Sequence, residues 1–183
     1  MNLNEEIRRV ADEAECLYSN ADLSTQLDRI AAEITACLQE THPIVLCVLN
    51  GGIIPTSELV MRLNFPLEMD SIKASRYQGA TRGGDIQWML EPGLSLQDRT
   101  VLIVDDVLDE GITLAAIKRY CEARGAAAVH AAVIVEKILN KPKPAQADFI
   151  AVKADDRYLF GYGMDYKNHL RNRPGIYACQ TVY

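Results

Sequence analysis

Asp105 and Asp106, followed closely by Asp109, Gly111 and Thr113, are the residues of this sequence whose types and spacing suggest chemistry. They close the run Val101-Leu-Ile-Val-Asp-Asp-Val-Leu-Asp-Glu-Gly-Ile-Thr113. Adjacent carboxylates suit sugar hydroxyls or a hard divalent cation. A short Gly-containing turn that opens a helix aims backbone N–H donors at an anion. A phosphate held there beside two acids implies a sugar phosphate that also needs a divalent metal.

Positioning these groups requires a strand before them and a helix after. Four apolar residues, three of them β-branched, precede the acid pair and predict a strand buried on both faces. Leu114, Ile117 and Cys121 share one stripe of a helix over about 112–124. An apolar strand over 44–49 ends in Asn50-Gly51-Gly52, before a helix from about Pro55 that carries Leu59, Val60 and Leu63. Paired glycines let backbone approach a ligand, although a tight strand-to-helix turn uses the same residues. Residues 66–77 and 85–90 predict the arms of a long hairpin. Its tip, Gln78-Gly-Ala-Thr-Arg-Gly-Gly-Asp85, is either a loose turn or a flexible lid.

Further strands are predicted over 127–135 and 149–152, and helices over 5–18 and 22–39. Between the two late strands lie Glu136-Lys137 and the loop Asn140-Lys-Pro-Lys-Pro144. Strands alternating with helices give an α/β fold with a mostly parallel sheet, its ligand at the carboxyl edge. One domain over 1–183 is expected, with the lid at about 74–90 and a small hood from the terminal segments. A phospho-acceptor receiver domain also ends an apolar strand in paired Asp, so this stretch alone leaves that reading open.

The 183 residues suffice for one sizeable core, and 49% hydrophobic with 24% charged residues is ordinary globular composition. A formal net charge of −6 argues against a broad basic face for nucleic acid. A small anion held by local donors is still compatible with that charge. The first residues contain no apolar core of signal-peptide length, and no segment is long enough for a membrane span. Five cysteines without C-x-x-C spacing suggest reduced thiols, and three scattered histidines argue against a zinc site. A cytoplasmic protein that contacts neither membrane nor nucleic acid is expected.

The 101–113 motif resembles the phosphoribosyl-pyrophosphate signature of type I phosphoribosyltransferases. Lys137 and the segment 158–171 narrow that resemblance to the 6-oxopurine branch, the hypoxanthine-guanine phosphoribosyltransferases. The resemblance spans about residues 44–171, with its motifs in the family's order, which a receiver domain does not explain.

The resemblance implies that the sugar's 5-phosphate sits on Asp109, Glu110, Gly111, Ile112 and Thr113. Asp105 and Asp106 would meet the ribose hydroxyls and, with Asp165, a Mg²⁺ ion. Asp109 would serve as the acid–base group near purine N7. Lys137 would donate to the 6-oxygen, Tyr158 would stack on the base, and Leu159 would read its edge through the main chain. Asn50, Gly51 and Arg171 would face the pyrophosphate, with Arg76 and Tyr77 at the base of the lid. The implied reaction moves 5-phosphoribose from phosphoribosyl pyrophosphate to N9 of hypoxanthine or guanine, in a homodimer or homotetramer. A xanthine-preferring transferase and a nucleic-acid-binding sensor of the activated sugar are the alternatives.

Three departures from the family pattern stand out. Asn50 replaces a common Lys or Arg, Arg76 replaces a Ser, and Glu110 replaces a hydroxyl residue. Arg76 is expected to return to the site the cation lost at Asn50. The carboxylate of Glu110 would repel a phosphate, so its side chain is expected to turn away from the nest.

Overall fold

A computed structural model of the chain describes residues 2–76 and 86–180. A six-stranded sheet dominates it, built from β2 (Ile44–Val48), β3 (Glu68–Arg76), β4 (Ile86–Leu90), β5 (Thr100–Leu108), β6 (Ala128–Ile138) and β7 (Phe149–Asp155). The strand order is β4-β3-β2-β5-β6-β7. Only the β3–β4 pair is antiparallel, which makes the sheet mostly parallel as the alternation predicts.

Alternation of side chains sends β5 into two cores. Leu102 and Val104 pack with α2 (Asn20–Leu38) and α3 (Ile53–Val60) on one face. Val101 and Ile103 pack with α4 (Ile112–Ala123) on the other. All four residues are fully buried, which explains the unbroken apolar run.

The expected helix over 5–18 is corrected. The helix α1 spans Leu3–Glu13, and Glu15–Ser19 is a strand, β1. Ala14 takes an extended backbone at the helix end. β1 then pairs antiparallel with β9 (Gly175–Ala178). Leu17 and Tyr18 kept the helical spacing by chance; long-range pairing with β9 decided their conformation. Ser19 caps α2 reciprocally with Asp22: each side chain accepts from the other's backbone N–H.

β1, β9 and the short β8 (Leu159–Phe160) form a three-stranded sheet that brings residues 15–19 together with 159–160 and 175–178. Its own small core joins Val10 of α1 to Phe160, Tyr166 and Cys179. The arms of the expected hairpin are present as β3 and β4. Its tip, including Tyr77, lies outside the described residues, as does the side chain of Arg76. Among the described residues, no helix is long and apolar enough to cross a membrane.

Candidate active site

β5 and β6 run farther than the sequence suggested, so Asp105, Asp106 and Lys137 stand on strands rather than in the loops after them. Their backbones are therefore held by ladder bonds to Val133 and its neighbours on β6 and to Ala154 on β7. The ladder between β5 and β6 ends at Leu108↔Glu136, one residue short of both Asp109 and Lys137.

Beyond β5 the chain turns at Gly111, whose φ of 78° is left-handed and suits glycine. α4 begins there without any side-chain cap. Its first-turn N–H groups, at Ile112 and Thr113 among others, therefore keep donors available for an anion. A hollow of about 210 Å³ opens above them, lined by Asp105, Asp106, Asp109, Glu110, Gly111 and Thr113 among others. Glu110 is drawn to the Lys141 ammonium at 2.5 Å, in keeping with the repulsion argument. The same loop closes the floor, because a Cβ at Gly111 would stand 3.2 Å from both Ala145 O and Lys143 Cβ.

Asp106 is 9% exposed, and its N–H donates to Asp105 Oδ1 at 2.9 Å. Burial, reinforced by the Asp106 charge, pushes the Asp105 carboxyl well above its ordinary value. Burial raises Asp106 as well, against the pull of its bonds from Asp105 and the Val107 N–H and of the Arg171 charge. The pair is thus costly to ionise by itself and gains most from hydroxyl donors or a cation arriving beside it.

Glycine brings a second loop onto this pair. A Cβ on Gly51 would lie 1.9 Å from Asp106 Oδ2, and one on Gly52 would strike the Val48 and Val104 carbonyls. From the other side Gly163, at φ +106°, approaches Gly51 so closely that its Cβ would fall 2.1 Å from Gly51 O. The Leu49–Asn50 peptide is cis, and Asn50 is exposed beside the loop. Arg171 Nη1 donates to Gly163 O at 2.8 Å, while its Nη2 pairs with Asp165 Oδ1 at 2.7 Å. Asp165 also accepts from the Asn168 N–H at 2.8 Å.

An adjoining cleft of about 340 Å³ shares Asp106, Val107 and Asp109 with the first hollow. Lys137, Tyr158, Leu159, Met164 and Asp165 complete it. Lys137 Nζ donates to Asp109 Oδ2 at 3.1 Å and lies 3.5 Å from Asp156 Oδ1. Tyr158 is 39% exposed and meets the buried Tyr166 edge-on, with ring centroids 5.4 Å apart. Its carbonyl accepts from the Cys179 N–H, so the residue just after β9 fixes the backbone from which the ring projects.

Asp105, Asp106, Asp109, Glu110, Gly111, Thr113, Lys137, Tyr158, Leu159 and Asp165 thus line two joined compartments, one rich in backbone donors and acids, the other flanked by an aromatic ring and a lysine, whereas Asn50, Gly51, Ile112 and Arg171 line neither. Sequence reasoning passed over Asp156, Gly163 and Lys143. The second glycine of Gly161-Tyr-Gly163 and a lysine between two prolines were the only signals available. Among the described residues, no three His, Cys, Asp or Glu gather into a metal cage. The acids present fit a Mg²⁺ ion that keeps waters and substrate oxygens as most of its ligands, with one or two carboxylates.

The sequence matches the phosphoribosyl transferase domain family over residues 14–167. It is 29% identical to a hypoxanthine-guanine-xanthine phosphoribosyltransferase of Tritrichomonas foetus, across 87% of this chain and 88% of that protein. A hypoxanthine-guanine phosphoribosyltransferase of Bacillus subtilis (strain 168) is 28% identical, across 87% and 89%. Among solved structures, a hypoxanthine-guanine-xanthine phosphoribosyltransferase superposes with a TM-score of 0.83 at 27% identity, covering 91% of this chain and 97% of its own. A hypoxanthine phosphoribosyltransferase of Staphylococcus aureus shares the fold with a TM-score of 0.86 at 24% identity, covering 98% and 97%.

Proposed function

The chain belongs to the phosphoribosyl transferase domain family, and from that premise we propose that it transfers 5-phosphoribose from phosphoribosyl pyrophosphate to N9 of hypoxanthine or guanine. The products are the nucleoside monophosphate and pyrophosphate. One juxtaposition supports this reading above all others. Lys137 and Asp109 face each other at 3.1 Å where an aromatic-flanked cleft meets an uncapped helix start.

In the complex, the uncapped N–H groups at 111–113 and the Thr113 hydroxyl hold the 5-phosphate. Asp105 and Asp106 accept from the ribose hydroxyls. Gly51, kept side-chain-free by the carboxylate of Asp106, leaves main-chain groups beside the pyrophosphate, with the Arg171 guanidinium, anchored on Gly163 O, to meet its charge. Lys137 presents donors and no acceptor, so it satisfies a 6-oxo group but meets the 6-amino group of adenine donor to donor. The Tyr158 ring stacks on the base, a contact worth about 1–3 kcal/mol in other nucleobase sites. Asp109, released from Lys137 as the 6-oxygen takes its place, receives or shares the N7 proton while N9 attacks the anomeric carbon. Positive charge on the ribose is stabilised by the fixed acids beneath it.

Asp105, Asp106 and Asp165 are the residues that would contact Mg²⁺. Bound with the substrate, the ion would neutralise pyrophosphate charge as that group departs.

The test is nucleotide formation from hypoxanthine, guanine, xanthine and adenine, each with phosphoribosyl pyrophosphate and with or without Mg²⁺. Inosine and guanosine monophosphates should form only with the metal, and adenosine monophosphate should form at least a hundredfold more slowly. Equal use of adenine would remove Lys137 from its role. Preference for xanthine would move the chain to the alternative specificity.

A further inference from the structure

Lys143 lies in the loop between β6 and β7 and does not line the base cleft. Its side chain is 9% exposed. The ammonium donates to Lys137 O at 2.6 Å and to Leu108 O at 3.1 Å, and it stands 3.4 Å from Glu136 Oε1. An ammonium has three donors, and here all three are directed at the ends of two strands. Those ends need such a tie, because the β5–β6 ladder stops at Leu108↔Glu136. Asp109, just past β5, and Lys137, the next residue on β6, have no ladder bond to one another.

We propose that Lys143 is a positioning residue that sets the reach of Lys137 toward the 6-position of the base, and so sets the preference for an oxo group there. The proposal rests on the phosphoribosyl-transfer reading above. Lys143 touches neither substrate. It acts by fixing the carbonyl of the residue that reads the 6-oxygen against the carbonyl that precedes Asp109. A displacement of a few tenths of an ångström in either strand end changes the distance across which the base is gripped. Lys153 provides an internal comparison, since it reaches the other oxygen of Glu136 at 3.2 Å yet is 61% exposed. The structure gives it no bond to either carbonyl.

The experiment measures equilibrium binding of two nucleotides, inosine 5′-monophosphate and purine riboside 5′-monophosphate. They share the ribose phosphate and N7 and differ in the 6-oxo group and the N1 hydrogen that accompanies it; Lys137 is proposed to read the first of these. In Lys143→Met, the preference for the inosine nucleotide should fall by about tenfold, the equivalent of roughly 1.4 kcal/mol. Lys143→Arg, which keeps charge and donors, should recover most of that preference. Lys153→Met should leave both affinities within about twofold of the parent. If the Met variant does not fold, Lys143→Gln carries the same comparison, with a smaller loss of preference expected.

Equal weakening of both nucleotides, or no change in either, would overturn the proposal, since general support of the phosphate loop weakens them alike. A parent protein that binds neither nucleotide would instead overturn the phosphoribosyl-transfer reading itself.

Discussion

The 3.1 Å contact between Lys137 and Asp109 means that, at rest, the group proposed to read the base and the group proposed to take its proton neutralise each other. Asp156, 3.5 Å from the same ammonium, offers Lys137 a second partner once Asp109 turns to the base. Asp109→Asn should therefore spare binding of the purine nucleotide while turnover falls by about 10²–10⁴-fold, the usual range for a general acid–base group. Steady-state kinetics alongside direct nucleotide binding checks this; a rise in KM alone would remove the catalytic role. Asp105 gives the opposite signature. Its raised pKa means that the folded chain holds a proton which the unfolded chain has released above the ordinary 3.8. Stability thus declines as pH climbs through that value toward the folded-state pKa. Asp105→Asn should melt higher than the parent at pH 7, by roughly 2–4 °C for each 1 kcal/mol recovered. The gain should shrink to nothing below pH 3.8, where the acid is protonated in both states. Sugar-phosphate binding should be lost, and thermal melts at several pH values together with calorimetric titration read both effects.

At the scale of elements, close approach of loops matters more than any single charge. Gly51 sits where a methyl group would fall inside the Asp106 carboxylate, itself packed in the strand. Gly51→Ala should displace the 49–52 loop, cut transfer by about a hundredfold and leave helix content unchanged; circular dichroism and kinetics on one preparation separate the two. The paired glycines could be seen in the sequence as a backbone that comes near something, but the carboxylate they approach is 55 residues away and became visible only with the fold. The same division runs through the chain. β2 and β5 were readable because both of their faces are buried, leaving a continuous apolar run. β9 has four residues, Gly175–Ala178, and owes its form to partners at 15–19 and 159–160. No local period announces such a strand, and its absence from the sequence reading is why Leu17 and Tyr18 were given to a helix. Lys143 was hidden for a related reason: its meaning lies in two carbonyls, and carbonyls carry no sequence identity.

The molecule as a whole joins its first helix to the cleft proposed for the base. Glu6 of α1 accepts from the Tyr166 hydroxyl and from the Lys167 ammonium, each at 2.6 Å, and Tyr166 in turn supports the Tyr158 ring. The Lys167 bond, then the Tyr166 bond, hold the Glu6 carboxyl below its ordinary 4.5. The stabilisation it contributes is therefore complete above that value and disappears as pH falls through the lowered one. In Glu6→Gln, amide exchange across α1 should accelerate at pH 7, and the KM for the base should rise more than the KM for the sugar. The difference in exchange from the parent should close in acid. Unchanged exchange at pH 7 would show that the helix does not depend on this carboxylate.

Antiparallel pairing of β1 with β9 also has a temporal meaning. During synthesis, every strand of the six-stranded sheet has been made by residue 155, and the helix start near Gly111 earlier still. The partner that steadies Tyr158 arrives only with residues 175–179. A nascent chain therefore completes the strand ends and helix start of the proposed sugar-phosphate site before the contact that holds Tyr158 can form.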